Sequence, residues 1–396
     1  MQLVLANARV LDGVGGALER ATVRIEGQRV AEVGRGADVT PGPGIEVIDL
    51  AGKTVLPALV DAHVHLSAYD VLLPPKRGEE PRTPALRYFE LAHTGRALLE
   101  AGVLTVRDVG SMDDHALHLR QAVELGLADG PRILTCARIV SATSPGCRIF
   151  GTMYRAADGA DEARKAAREQ FMVGADFIKV MATGARSVVL EDPEPPQLTR
   201  AELEAIVDEA HRLGKRVAAH AEGLAGTRLA IEVGVDTIEH GLSLHREPAL
   251  LERMAAAGQV LVPTLSTFHD VSEDHAEKYP CALVEQAKRQ REEAYLTLVA
   301  ASQAGVTIAL GFDSHPPGRN ALELVRMANG GLSTMEAIVA GTSGAATACG
   351  LDGEVGCIAP GVHADLLVLD GDPLADLRVL LDPARIHLVL QAGRAV

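Results

Sequence analysis

Two textures of apolar and polar positions divide the chain. Over residues 1–57 apolar side chains recur at every second position, in Val4-Leu5-Ala6, Thr22-Val23-Arg24-Ile25, Val30-Ala31-Glu32-Val33 and Glu46-Val47-Ile48-Asp49-Leu50, with Gly and Pro between the runs. That period predicts short strands. The texture returns near the other end, in Asp365 to Leu369 and His387 to Leu390. Residues 1–57 and 351–396 are therefore expected to build one small β-sandwich from both termini.

Between them, residues 58–350 alternate short apolar runs with helical stretches. The runs are Leu59 to His65, Val103 to Asp108, Arg132 to Val140, Ala175 to Met181, Arg216 to His220, Thr237 to His240, Val260 to Thr264 and Val306 to Asp313. Eight such strands separated by helices is the count of an α/β fold, the (β/α)8 TIM barrel. Helix starts are marked too. Thr199-Arg200-Ala201-Glu202 and Ser333-Thr334-Met335-Glu336 have capping-box spacing, and Val284 to Ala304 reads as a charged amphipathic helix.

Composition narrows the function. The chain has 396 residues and a net charge of −15, with no Lys/Arg cluster, so a nucleic-acid or anionic-membrane surface is not expected. With 3% aromatic residues and no Trp, base-stacking platforms are not expected either. Five scattered cysteines without a C-x-x-C pattern, and an N-terminus without signal-peptide features, predict reduced thiols and a cytoplasmic protein. A small-molecule substrate is expected, and self-association into a homo-oligomer stays open.

The candidate chemistry sits at strand ends. Asp61-Ala62-His63-Val64-His65 closes the first run, and side chains two apart on a strand share a face, so His63 and His65 are spaced as metal ligands. His220 ends the fifth run, His240 the sixth and Asp313 the eighth. In a barrel all of these converge on one mouth. Four imidazoles and a carboxylate suit Zn²⁺ and similar divalent ions. Lys179 lies within the fourth run. An ammonium there is disfavoured by burial and by cations, while a neutral amine can take up CO₂ to become an anionic carbamate; a strand lysine can also snorkel or pair with a carboxylate.

This set resembles the metal-dependent amidohydrolase superfamily, matching its ligand order in His63, His65, Lys179, His220, His240 and Asp313. Gly102 to Asp108, Ala218 to Gly223, Asp236 to Gly241, Val262 to Leu265 and Pro360 to Leu366 further resemble its prolidase-like (Xaa-Pro dipeptidase) and imidazolonepropionase-related branch. The resemblance implies two divalent ions, Zn²⁺ the leading choice, bridged by a hydroxide and by a CO₂-derived carbamate on Lys179. It also implies Asp313 as the catalytic proton carrier.

Cleavage of an amide C–N bond in a dipeptide or N-acyl amino acid is the expected activity. The alternatives are a cyclic amide, carbamate, lactone or organophosphate ester, or a non-catalytic assembly protein. Two departures bear on substrate. Ser141 to Arg148 stands where many peptidase-like members carry Gly-Gly-His, and Glu222 follows the fifth-strand ligand. Arg107, Arg148, Arg186 and His245 are candidates to bind a substrate carboxylate, Tyr154 to donate to a carbonyl oxygen, and Glu222 to meet a cationic group. For each, an ordinary ion pair or loop hydrogen bond is the other reading.

Overall fold

A computed structural model describes residues 2–35, 44–67, 83–188 and 190–396; the parts of the expected units at 36–43 and 68–82 lie outside them. Each of the eight expected runs contains a strand. They form two parallel sheets. One holds Leu59–Val64, Val103–Asp108 and Arg132–Thr135; the other runs Tyr154–Ala156, Ile139–Ser141, Ile178–Met181, Val217–Ala221, Thr237–His240, Val260–Val262 and Thr307–Ile308. Backbone bonds join the sheets on both sides: Ala62 N–H donates to Leu310 O (2.8 Å) and Asp313 N–H to His63 O (3.0 Å), while Asp176 N–H donates to Thr135 O (2.8 Å). The result is a TIM barrel.

Two strands depart from the sequence reading. The third, expected unbroken from Arg132 to Val140, splits around Ala137, whose φ of 58° no extended strand accepts. The eighth is regular only at Thr307–Ile308. Beyond it the small residues of Ala309-Leu310-Gly311 let the chain run close under the first strand. A Cβ on Gly311 would lie 2.7 Å from the Cβ of His63. The short strand Tyr154–Ala156, paired with Ile139–Ser141, was not expected, because three residues carry no legible period.

The termini share one eight-stranded sheet in which Leu366–Leu369 pairs antiparallel with Thr54–Pro57, and Thr54–Pro57 pairs with Gln2–Leu11. Alternation explains how this sheet serves two cores. Val55, Leu366 and Val368 face the sheet's own cluster with Leu5, Val10 and Val23. Leu56, Leu367 and Leu369 point the other way, into the barrel cluster with Leu59, Leu104 and Leu310. Both faces of these strands are dry, so they read as continuous apolar runs.

Both capping boxes form. Thr199 caps the helix Arg200–Arg212 and Ser333 caps Thr334–Val339, each with its Glu returning to the cap backbone. The charged helix spans Cys281–Gln303. Outside the barrel, Glu209 on Arg200–Arg212 gathers Arg168 (3.0 Å), Arg164 (3.2 Å) and Arg212 (2.5 Å). The Arg168 bond above all holds its carboxyl down at about 2. A folded-state value below the unfolded one stabilises above the unfolded value, and the gain is lost as pH falls toward the folded one. The arginine heads reach water, so screening reduces the effect, and Glu209→Gln is expected to cost about 1–2 kcal/mol at pH 7. Denaturant midpoints should show most of that gap gone at pH 3; a gap of equal size there would contradict the assignment.

Candidate metal centre

Strand ends deliver the side chains, and three of them do so through backbone turned into the left-handed region. His240 (φ 69°), Thr264 (φ 48°) and Asp313 (φ 41°) each leave their strand with positive φ. Non-glycine residues held this way cost on the order of 1–3 kcal/mol each, and such conformations cluster at functional sites. Here they turn His240 and Asp313 toward the mouth instead of the alternating faces of a strand.

His63 Nε2 and His65 Nε2 both lie 3.7 Å from Asp313 Oδ1. Ligand atoms of the three all fall within 4.8 Å of one another, a spacing one cation could draw together. His240 extends the group, with ring centroids 5.2 Å from His63 and 4.6 Å from His220. Each imidazole is aimed by its other nitrogen. His63 Nδ1 bonds Glu239 Oε2 (2.7 Å), His65 Nδ1 bonds Gly110 O (2.7 Å), and His240 Nδ1 bonds Thr264 Oγ1 (2.7 Å). These leave Nε2 toward the mouth. His220 is reversed, its Nε2 lying 3.2 Å from Glu222 Oε1 and 3.3 Å from Gly184 O, so its Nδ1 is the nitrogen left over.

Electrostatics favour neutral donors. Burial, reinforced by Lys179, holds His63 well below the ordinary imidazole range, and burial brings His65 down to about 4. Burial pushes Asp313 up to about 7 against the pull of Lys179. It also lowers Lys179 to about 8. Lys179 Nζ is buried without a hydrogen-bond partner, a costly state for an amine unless something else engages it. This orphaned nitrogen among four imidazoles and a carboxylate fits a cationic centre held by a carbamate. The residues present therefore suit the group that the fold implies.

The cavity over the cluster holds about 180 Å³, room for a small molecule and not for a folded chain. Its strand-three and strand-four side is apolar, with Phe150 stacked on Tyr154 (4.9 Å between centroids) beside Met153 and Met181. The other side is polar, with Asp270, Tyr279 and His315. Of the six expected substrate contacts, Tyr154, Arg186 and Glu222 line this cavity. Tyr154 Oη donates to Met181 Sδ at 3.3 Å. The Arg186 guanidinium lies over the Phe268 ring (4.2 Å), with Nη1 3.2 Å from Glu222 Oε2 yet lacking a hydrogen bond.

The other three lie elsewhere. Arg107 is sealed inside the barrel on Glu239 and the carbonyl of Ala62, because an odd-numbered position of that strand faces the interior and not the mouth. Arg148 is exposed on the helix Gly146–Phe150, away from the cavity lining. His245 bonds Thr297 on the long helix. Sequence reasoning passed over Glu239, Thr264 and Asp61, although Asp61 and Glu239 stand two and one residues before a ligand. Asp61 receives the His63 N–H (2.9 Å), the Phe312 N–H and Asn320 Nδ2 (2.7 Å), tying the first strand to the segment bearing Asp313.

A family model described as amidohydrolase family matches residues 54–396. The chain belongs to the amidohydrolase family. It is a hydrolase by that membership, in a family that generally uses divalent metals. Ochratoxinase of Aspergillus niger is 28% identical over 97% of this chain and 84% of its own length. Imidazolonepropionase of Rubrobacter xylanophilus is 28% identical over 94% and 90%. Among solved structures, a prolidase complexed with N-methylphosphonate-L-proline superposes with a TM-score of 0.88 at 32% identity, covering 100% of this chain and 99% of that one. The likeness to prolidase-like and imidazolonepropionase members runs end to end. Among the described residues, no helix is long and apolar enough to cross a membrane.

Proposed function

We propose that the chain hydrolyses the amide bond of a small substrate carrying a carboxylate on the leaving side, such as an N-acyl amino acid or a dipeptide. Two Zn²⁺ ions would be held by His63, His65, His220, His240, Asp313 and a CO₂-derived carbamate on Lys179. The observation that carries this reading is the orphaned Lys179 Nζ among those donors. When bound, the ions lower the pKa of water and polarise a carbonyl oxygen. Asp313 Oδ1, facing both His63 and His65, takes the proton of the attacking water and delivers it to the leaving nitrogen. Tyr154 and Phe150 give an apolar wall that excludes bulk water from one side of the scissile bond.

Residues 58–350 would then be the hydrolytic unit, braced by the sheet of 1–57 and 351–396. A small molecule is the one partner this chemistry needs, and the five free thiols suit a reducing cytoplasm.

Arg186 supports the carboxylate half of the reading. Among the described residues it is the one arginine of the cavity lining, so a substrate carboxylate entering the cavity could pair with its guanidinium. The solved relative named a prolidase, complexed with N-methylphosphonate-L-proline, supports the same reading. Glu222 favours a second reading. It already neutralises Arg186 at 3.2 Å, and that suits an uncharged cyclic amide, carbamate or ester. The deciding measurement is kcat/KM for N-acyl amino acids and dipeptides against the same compounds with the carboxylate blocked. Blocking is expected to cost about 1.5–3 kcal/mol, a lost charged hydrogen bond, with Arg186→Met removing the preference. An unchanged or faster rate on blocked substrates would hand the site to the second reading.

A further inference from the structure

Beneath the mouth, on the interior side of the barrel, lies a charged group that the hydrolytic reading does not use. Arg107 on the second strand and Glu239 on the sixth are both closed off from solvent, with side-chain exposures of 2% and 0%. Barrel interiors are ordinarily filled with branched aliphatic side chains. A buried ion pair in that place calls for a reason, because aliphatic packing of the same volume is often as stable or more so.

The bonds are ordered in a line. Arg107 is itself fixed by three acceptors: Nε donates to Ala62 O (2.6 Å), and Nη1 to Ala348 O (3.1 Å) and Thr237 Oγ1 (3.2 Å). Its remaining nitrogen, Nη2, donates to Glu239 Oε1 at 2.8 Å, where the Thr237 hydroxyl also donates. The second carboxylate oxygen, Oε2, is left to His63 Nδ1 at 2.7 Å. With Oε1 saturated by two donors and the carboxylate charge matched by a rigid guanidinium, Glu239 can only accept from His63. The imidazole is therefore held as the Nδ1–H tautomer, with the Nε2 lone pair facing Asp313.

The other imidazoles differ in kind. His65 and His240 lean on a neutral carbonyl and a neutral hydroxyl. The carboxylate behind His220, Glu222, is buried but lines the cavity beside Arg186. Among the described residues, His63 alone of the four imidazoles is backed by a carboxylate that does not line the cavity. An anionic acceptor behind an imidazole raises its basicity as a ligand.

We propose that Arg107 and Glu239 are positioning residues for His63, acting as a fixed charge relay that sets its tautomer and strengthens its hold on one of the two cations, the one shared with His65 and Asp313. The inference rests on the two-ion reading above. Its effect should be unequal between the ions, which a purely architectural ion pair would not produce.

The test titrates Zn²⁺ against a competing chromophoric chelator, alongside ¹⁵N NMR of histidine-labelled protein. Wild type must first take up two Zn²⁺ per chain; if it does not, the ligand set itself is wrong and the relay falls with it. Glu239→Gln should then weaken one ion by about 10- to 100-fold, the range seen when a ligand's supporting partner is lost. The other, which does not use His63, should weaken clearly less, and only through the ligands the two ions share. Glu239→Gln leaves Arg107 charged and buried and can fail to fold. The double variant Arg107→Met/Glu239→Leu removes both charges together and carries the same expectation, with His63 now showing a mixture of tautomers. Wild-type affinity for both ions with an unchanged His63 Nδ1–H signal, or equal weakening of both ions in a folded variant, would overturn the proposal.

Discussion

Lys179→Ala is expected to strip the barrel mouth of the two ions proposed above and to lower turnover on the order of 10³-fold, the scale on which a lost electrostatic anchor costs catalysis. The side chain is 1% exposed and its amine has no hydrogen-bond partner. As a bare ammonium it would repel any cation held by His63, His65 and His240; the carbamate proposed above would replace that repulsion with an anionic donor. Short carboxylic acids added to Lys179→Ala should restore part of both metal content and rate. Elemental analysis and ¹³C NMR after labelled bicarbonate check the claim. An unmodified amine coexisting with two bound ions would refute it.

Asp313→Asn is expected to separate turnover from metal content. The carboxylate faces both histidines of the first strand at 3.7 Å, so it contributes to binding, but five other donors remain. In the proposed reaction its larger task would be moving a proton, a contribution of about 10²–10⁴ in rate that an amide cannot reproduce. The variant should retain at least one ion while kcat falls by that factor and KM changes little. Loss of metal in step with loss of rate would instead make Asp313 a ligand only.

Arg107, Arg148 and Arg186 were equal candidates in the sequence, each at or just after a strand end. What separates them is direction. Arg107 sits within its strand and points to the interior, Arg148 rides an exposed short helix, and Arg186 follows the fourth strand into the loop that lines the cavity. A rule that knows only proximity to a strand end cannot rank these three, because side-chain direction depends on strand tilt and loop path. The continuous third strand failed for a related reason. Arg132 to Val140 carries apolar residues on both sides of Ala137, so it reads as one run, while its two halves join different sheets across the turn at Ala137.

The chain by itself determined the elements whose causes are local. A strand's two-residue period sets His63 beside His65, capping boxes start the helices at Thr199 and Ser333, and alternation in Leu366-Leu367-Val368-Leu369 provides one face for each of two cores. The order of His63, His65, Lys179, His220, His240 and Asp313 along successive strands was legible for the same reason, since a barrel maps strand order onto position around its mouth. Only the tertiary structure decided what stands behind those side chains. Glu239 reaches His63 across 176 residues of chain and Arg107 reaches Glu239 across 132. Which nitrogen of each imidazole faces the mouth follows from such partners. No local pattern encodes contacts of that separation; they exist once barrel closure has brought the strands to a common interior, where low dielectric makes each paired charge count and each unpaired one costly.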